Sequence, residues 1–482
     1  MEDLKTLLNG IKLCREKTQS ERILEELIAI QEYDDLCERN ELLQFIYNHS
    51  IVQIKQSKKS SIVFYENLSL VTYNLISYYK DKFDSLSSNS EIAFGLKFSQ
   101  LAGNRKDSKF NHLMDFEYLY KKLEQIKLIY IECINLHKYK MSYVTDRLLD
   151  KTKKKLEKEK LYLENTYLKN QSGEVFSLAQ LTRDNDTKLA ELHAFNKQLE
   201  LKAEAMGFTW VFATITCPPK FHINPKQSKS DCWDRESTPK DSVNFINKIW
   251  SNFRKKIDKL DIDMPFGFWS KEPHSSAAVH KHALIFCRKE DVSAICRWIS
   301  HYTKLSFSNV GHKYVHDVSC KFVVEKTSEK LADKGKKKAK PSSYIFKYIK
   351  KGLCISDEDS KEFRQIQSHY KEHKYRRFGF FGIDRCIVLW RELKRFNKLE
   401  LKTDDEALLE LSKMVKDNNF KDFCTSPLKD FVEFIYKDAI YDEYGNFIEY
   451  YLDDYGDDKK QICGFVCNGV EYKTRNEYIK IN

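Results

Sequence analysis

Two histidines separated by one residue, His280 and His282, and two tyrosines four apart, Tyr344 and Tyr348, could do chemistry together. On a strand, alternate side chains share a face, so His280 and His282 point one way and Lys281 the other. Two imidazoles on one rigid strand can take two positions around a divalent ion without rearrangement. Just upstream, Glu272 could return across a hairpin as a carboxylate third ligand, with His274 competing for that place. Two neutral histidines and one carboxylate leave positions open for substrate oxygen and water. That suits Mg²⁺ or Mn²⁺ acting as a Lewis acid. On a helix, Tyr344 and Tyr348 lie on one face, flanked by Lys347 and Lys351. A tyrosine hydroxyl, with a reference pKa of about 10, needs a nearby cation or metal to become a useful nucleophile. Lys347 could neutralise phosphate or phenolate charge, and an ordinary solvated lysine explains it equally well.

Neither pair is specific alone, in a chain with 13 histidines and 27 tyrosines. The ordinary reading is two histidines hydrogen-bonded on a half-exposed strand and two tyrosines packing a helix onto a sheet. The surroundings decide between these readings.

Charge is the first of them. Residues 1–200 hold 31 Lys and Arg against 30 Asp and Glu, residues 201–400 hold 40 against 23, and residues 401–482 hold 11 against 18. The excess is confined to the segment that carries the histidines and tyrosines. A positive field on one region favours a polyanionic partner, most commonly nucleic acid. Thirteen cysteines without a C-x-x-C pair read as reduced, mostly buried thiols rather than a zinc site or a disulfide framework. No apolar run approaches the ~20 residues of a membrane helix, and the N-terminus lacks a secretory pattern. A cytoplasmic protein is expected.

The elements that must position these residues follow from periodicity. Residues 1–200 read mainly as helix, with Phe116–Tyr143 and Leu178–Met206 strongly patterned and the charged run Lys151–Lys160 on the exposed face of a long helix that breaks at Asn170–Gly173. From Gly207 strands enter. Phe208–Thr216, Phe266–Ser270, Val279–Cys287 and Tyr314–Glu325 are strand-like, while Val243–Leu260, Asp291–Thr303 and Ser342–Lys351 are helix-like. This mixture predicts an α+β domain around a central antiparallel sheet, preceded by a largely helical region. Composition suggests divisions at 1–200, 201–400 and an acidic 401–482. The tail has a helix at Asp404–Asp417 and a hairpin turn at Tyr444-Gly-Asn446. The Lys-rich stretch with Lys334, Lys336, Lys337 and Lys338 reads as a polar breaker closed by Pro341.

A strand with paired histidines followed some sixty residues later by a Tyr-Tyr helix resembles the HUH endonucleases, most closely the bacteriophage replication gene A protein family. Phe212–His222 (FATITCPPKFH) is similar to that family's first motif. Glu272-Pro-His274 precedes the histidines at the family's spacing, and FGFFGI (378–383) with Val388–Leu393 (VLWREL) is similar to its post-catalytic segment. Weaker likeness, including Tyr143–Asp146 and Gly173 with Ser177–Leu181, extends back to about residue 140. The chain departs from the family in two places. Lys281 stands where a bulky hydrophobic residue is usual, and Ser275-Ser-Ala-Ala-Val279 replaces a glycine-containing turn.

The resemblance implies an HUH nuclease domain and a phage or prophage replication initiator acting in the cytoplasm of a bacterial host. It would nick one strand at an origin, with His280, His282 and Glu272 holding the metal and Tyr344 or Tyr348 attacking the phosphate. The products would be a 5′-phosphotyrosine and a free 3′-OH for rolling-circle replication. Origin duplex and a single-stranded segment would be its DNA partners, with Lys334, Lys336, Lys337 and Lys338 on a loop holding the strand to be cut and the N-terminal region recognising the origin duplex or recruiting a host helicase. The alternatives are an HUH transposase or relaxase, a degenerate prophage copy, or a non-catalytic DNA-binding protein.

Overall fold

The computed structural model describes most of residues 68–481, the main gaps being 225–231, 313–319, 322–340, 354–359, 442–446 and 451–460. The chain forms two compact units, residues 1–139 with 437–461, and residues 140–436 with 462–482. Both composition breaks, near 200 and 400, therefore fall inside the second unit. The Lys334–Lys338 stretch lies outside the described residues, as does the part of the expected helical region before residue 68.

The described part of the first unit has a small hairpin, β1 (Glu91–Ala93) with β2 (Leu96–Lys97), and two helices, α1 (Lys106–Met114) and α2 (Phe116–Lys138). Asp115 caps α2 by accepting from the Tyr118 N–H. Leu113, Leu119, Leu123, Ile92 and Phe98 make its core.

The second unit begins with α3 (Asp146–Asn165), which carries the charged run on its surface. What reads as a helix break at Asn170–Gly173 is a hairpin turn between β3 (Tyr167–Asn170) and β4 (Val175–Ser177). The C-terminal strand β15 (Tyr478–Ile481) pairs with β3, an association between distant segments that local periodicity does not signal. Next comes α4 (Asn185–Ala205), capped by Asp184.

The central sheet has the order β8-β5-β7-β6-β9, every pair antiparallel. Its strands are β5 (Thr209–Ile215), β6 (Phe266–Pro273), β7 (Val279–Cys287), β8 (Cys320–Lys321) and β9 (Phe378–Phe381). The strand expected over Tyr314–Glu325 is described only at Cys320–Lys321. Between the strands lie α5 (Pro239–Ile257), α6 (Val292–Ser308), α7 (Pro341–Leu353) and α8 (Lys361–His373). After β9 come α9 (Cys386–Lys398), α10 (Glu406–Lys416) and α11 (Phe420–Thr425). Strands β10 (Val432–Lys437), β13 (Gln461–Cys467) and β14 (Val470–Lys473) form a separate sheet, while β11 (Ala439–Tyr441) and β12 (Phe447–Tyr450), which pair with each other, belong to the first unit.

Helices cover both faces of the central sheet, which is why its strands read as nearly continuous apolar runs. On one face Phe212, Phe266, Phe268, Leu284 and Phe286 pack with Phe195 and Leu199 of α4, Ile345 and Ile349 of α7 and Trp390 of α9. On the other, Val211, Ala213, Ala283 and Ile285 pack with Ile246, Ile249 and Phe253 of α5, Ile299 of α6 and Ile366 of α8. Each such large side chain contributes roughly 1.5–3 kcal/mol of hydrophobic stabilisation. Apolar residues of α5 recur at 243, 246, 249, 250, 253 and 257, and a Thr238–Asp241 capping box with Pro239 at the first turn starts the helix.

The β6–β7 turn is held from outside. Ala277 takes the left-handed conformation (φ 66°), one that normally favours glycine, and is buried. The His369 Nε2–H of α8 donates to the Ala277 carbonyl at 3.0 Å, and the Tyr375 hydroxyl meets His369 Nδ1 at 3.2 Å. The neutral ring satisfies both partners.

Burial pushes the His369 pKa down to about 4, and burial drives His373 down as well. A pKa depressed on folding means that the unfolded chain takes up the proton first. Stability is then complete above pH ~6.5 and is lost as pH falls toward about 4. The loss from His369 is expected to be on the order of 3 kcal/mol. Urea denaturation at stepped pH should show a flatter acid limb in His369→Gln than in the parent, and parallel limbs would refute the assignment.

Candidate active site

Strand register brings the chemically distinctive residues to one end of one sheet face. Glu272 lies directly opposite His280, Ser270 opposite His282, and Thr214 opposite His282 from the other side. With period-two alternation, Thr214, His280, His282, Ser270 and Glu272 share the face that carries Phe212 and Leu284 further along the strands. Lys281 emerges on the opposite face, as its position between the histidines predicts.

Both rings are anchored. The Thr214 hydroxyl meets His282 Nδ1 at 3.0 Å, and the Thr216 hydroxyl meets His280 Nε2 at 3.1 Å. His282 Nε2 faces Glu272 Oε2 at 3.4 Å. His274 stacks on His280 with ring centroids 5.1 Å apart, and His222 approaches His280 edge-on at 6.2 Å. The Ser276 hydroxyl joins His222 Nδ1 (2.7 Å) and His274 Nδ1 (2.9 Å). Burial, with repulsion from His274, His222 and His282, pushes the His280 pKa down to about 3. Burial pushes His222 to about 4. Both rings are therefore neutral at physiological pH, the form in which imidazole binds metal.

Helix α7 lies across this face. Ser342 near its start hydrogen-bonds the buried Glu200 carboxylate of α4, and Ile345 and Ile349 enter the core beneath. These contacts set Tyr348 on His282, ring centroids 4.0 Å apart and 26° from parallel, with Phe212 stacked 5.9 Å away. Tyr344 lies one turn earlier in α7; its side chain and those of Lys347 and Lys351 are outside the described residues.

Sequence reasoning thus reached His280, His282, Glu272 and Tyr348, which the structure brings together. It missed Thr214 and Thr216, whose alternation with Phe212 on β5 was the available signal, and Ser276, which joins two histidines. It also missed Ser270, a buried hydroxyl beside His282 that has no hydrogen-bond partner among the described residues. Among the described residues, no group of three or more His, Cys, Asp or Glu is already arranged to hold a metal ion. The donor chemistry nevertheless fits one, with neutral imidazoles, a facing carboxylate and an unpartnered hydroxyl on neighbouring rigid strands. His280 would have to exchange its threonine contact.

Comparison with known proteins follows the same segment. Residues 99–355 match the family described as bacteriophage replication gene A protein (GPA). A "Probable replication endonuclease from prophage-like region" of Escherichia coli O6:H1 is 29% identical over 241 residues, covering 45% of this chain and 27% of that protein. A "Replication protein" of Haemophilus phage HP1 is 26% identical over 301 residues, covering 59% and 36% respectively. A probable replication protein of Pseudoalteromonas phage PM2 is 22% identical over 380 residues, covering 74% and 56%. The match to the Escherichia coli protein thus spans about a quarter of that protein's length. No solved structure gives a significant match. Among the described residues, no helix is long and apolar enough to cross a membrane.

Lys281 is buried, 1% exposed, with Nζ 4.3 Å from the Trp250 ring centre and 4.4 Å from that of Trp269. Burial, reinforced by Lys271, Arg254 and Arg376, drives its pKa well below the usual lysine value. Indole faces compensate a desolvated ammonium by roughly 2 kcal/mol, less than the several kcal/mol that its burial costs. Lys281→Met, similar in length and apolar, should keep or raise the thermal midpoint in the isolated protein. A fall of several degrees by calorimetry would show that the ammonium is a net stabiliser.

Proposed function

The chain belongs to the bacteriophage replication gene A protein family, and from that premise we propose that its second unit contains an HUH-type DNA-nicking centre. The observation that carries this reading is the stacking of Tyr348 on His282, which puts the tyrosine helix on the histidine face of the sheet. The substrate would be one strand at a replication origin, presented as a single-stranded segment. The basic 201–400 region supplies the phosphate contacts, and half-buried rings such as Tyr348 offer stacking surfaces.

His280, His282 and Glu272 would hold Mg²⁺ or Mn²⁺, which, when bound, supplies Lewis-acid polarisation of the scissile phosphate. Thr214 and Thr216 fix the imidazole planes, so ligand orientation precedes substrate binding. Tyr344 or Tyr348 is the nucleophile. Its hydroxyl oxygen bonds to phosphorus as its proton leaves to solvent. The bond from phosphorus to the 3′-oxygen breaks, and that oxygen takes up a proton as the free 3′-OH. One phosphoester replaces another, so rejoining needs no nucleotide triphosphate. The second tyrosine, one helical turn away, can cleave a regenerated site and allow strand transfer.

Labelled single-stranded origin DNA incubated with Mn²⁺ or Mg²⁺ should give a covalent protein–DNA adduct. EDTA should abolish it, and so should the Tyr344→Phe/Tyr348→Phe double change. His280→Ala/His282→Ala should lose the adduct while keeping most DNA affinity, because lysine and arginine supply that affinity. DNA binding without adduct under every metal would overturn the nuclease reading and leave a binding module. Thr214→Val should fold normally yet need ~10–100-fold more metal for half-maximal adduct. An unchanged metal titration would remove Thr214 from its positioning role.

A further inference from the structure

The sheet face opposite the histidines carries a second charged cluster. Lys271 and Lys281 are direct cross-strand partners on β6 and β7, 3% and 1% exposed. Lys281 sits between Trp250 and Trp269, while Lys271 lies over Trp269 at 4.9 Å and Tyr375 at 6.0 Å. Arg376 stands over Trp269 at 5.5 Å, and Arg254 over Phe381 at 5.3 Å. Lys240 and Arg376 act electrostatically on Lys271, and Arg254 and Arg376 on Lys281. The cluster grades from two buried lysines through half-buried Lys240 and Arg254 to exposed Arg376 at the surface.

Two features distinguish this cluster from charges scattered on a basic surface. Among the described residues, Lys271, Lys281, Arg254 and Arg376 have no carboxylate within ion-pair distance, whereas the Arg391 and Arg395 guanidiniums elsewhere in the unit are paired with Glu191 and Glu392. Like charges directly opposite on neighbouring strands are also destabilising without an anion between them. The rim is built rather than loose. Arg376 Nε donates to the Phe378 carbonyl at 3.0 Å. Gly379 leaves the space in which the guanidinium and the Trp269 ring meet, since a Cβ there would lie 2.9 Å from one and 2.8 Å from the other.

We propose that Lys271, Lys281, Arg254 and Arg376 form a phosphate-binding site on the face of the sheet opposite the histidines. Its ligand is a phosphate oxyanion, supplied either by the backbone of a DNA strand running past the sheet edge or by free phosphate. Arg376, with a planar fork of donors, engages it at the rim, and the bound anion draws the lysines behind it toward their charged form. The DNA source rests on the nicking proposal; the site itself does not.

The test uses the full chain with Lys281→Met and, as a rim change that leaves the interior intact, Arg376→Gln. Inorganic phosphate is titrated against intrinsic tryptophan fluorescence, and single-stranded oligonucleotide affinity is measured across a salt series. If DNA is the source, the slope of log affinity against log salt falls by ~0.7 for each lost phosphate contact, in both variants. If free phosphate is the source, the parent gives a saturable fluorescence change that both variants lose, and the salt slopes stay equal. Unchanged slopes with no saturable phosphate response would overturn the site and leave the indoles alone as the lysines' compensation. Adduct formation, assayed in parallel, keeps the proposals separable. A nicking protein with unchanged slopes and no phosphate response fails only this one, and a protein that passes either phosphate arm without forming adduct fails only the nuclease.

Discussion

The eight cross-strand pairs between β6 and β7, from Phe266 opposite Phe286 to Pro273 opposite Val279, determine where every distinctive side chain goes. Because side chains alternate, a slip of one residue would carry His280 and His282 into the layer beneath α5 and bring Lys281 under α7. The register is fixed at both ends. Gly267 lets the strands close, since a Cβ there would lie 2.0 Å from the Leu284 carbonyl oxygen. At the turn, Ala277 is locked by His369, and the Tyr143 N–H donates to the Ser275 carbonyl at 3.0 Å. Apolar packing on two faces supplies stability, and the turn contacts supply the choice of register.

Given that register, the placement of α7 is a packing problem with few solutions. Ile345 and Ile349 are one turn apart and both fully buried, so the face they define must look at the sheet. Tyr348 then lies beside that face and comes to rest on His282. The threonines do for the imidazoles what the isoleucines do for the helix: they remove a rotational freedom.

Most of this was legible where chemistry is local. The run Val279–Cys287 appears as a strand at its expected bounds, and α7 extends the expected helix by a residue or two at each end. Both carry strong period signals and clear terminators. The β3–β4 hairpin was hidden because Tyr167–Ser177 is polar, half-exposed and short, and its third partner lies some three hundred residues further on. Thr214 and Thr216 were hidden for another reason. A threonine on a strand is unremarkable until the partner strand's register is known, and register belongs to pairs of segments. Glu272 was reached as a carboxylate that a hairpin could return to the histidines, and the turn that delivers it uses Ala277 where glycine was the expected signal.

The two faces of the β6–β7 ribbon are not electrostatically independent. Glu272 and the imidazoles on one side, and Lys271 and Lys281 on the other, alternate along the same two strands. Adjacent residues on a strand are separated by only ~3.3 Å of rise, within a protein interior that screens charge far less than water does. The imidazoles and carboxylate on one side and the basic side chains on the other are therefore separated by a single layer of backbone. That arrangement follows from strand alternation itself, because a residue placed between two that share one face of a strand must face the other way.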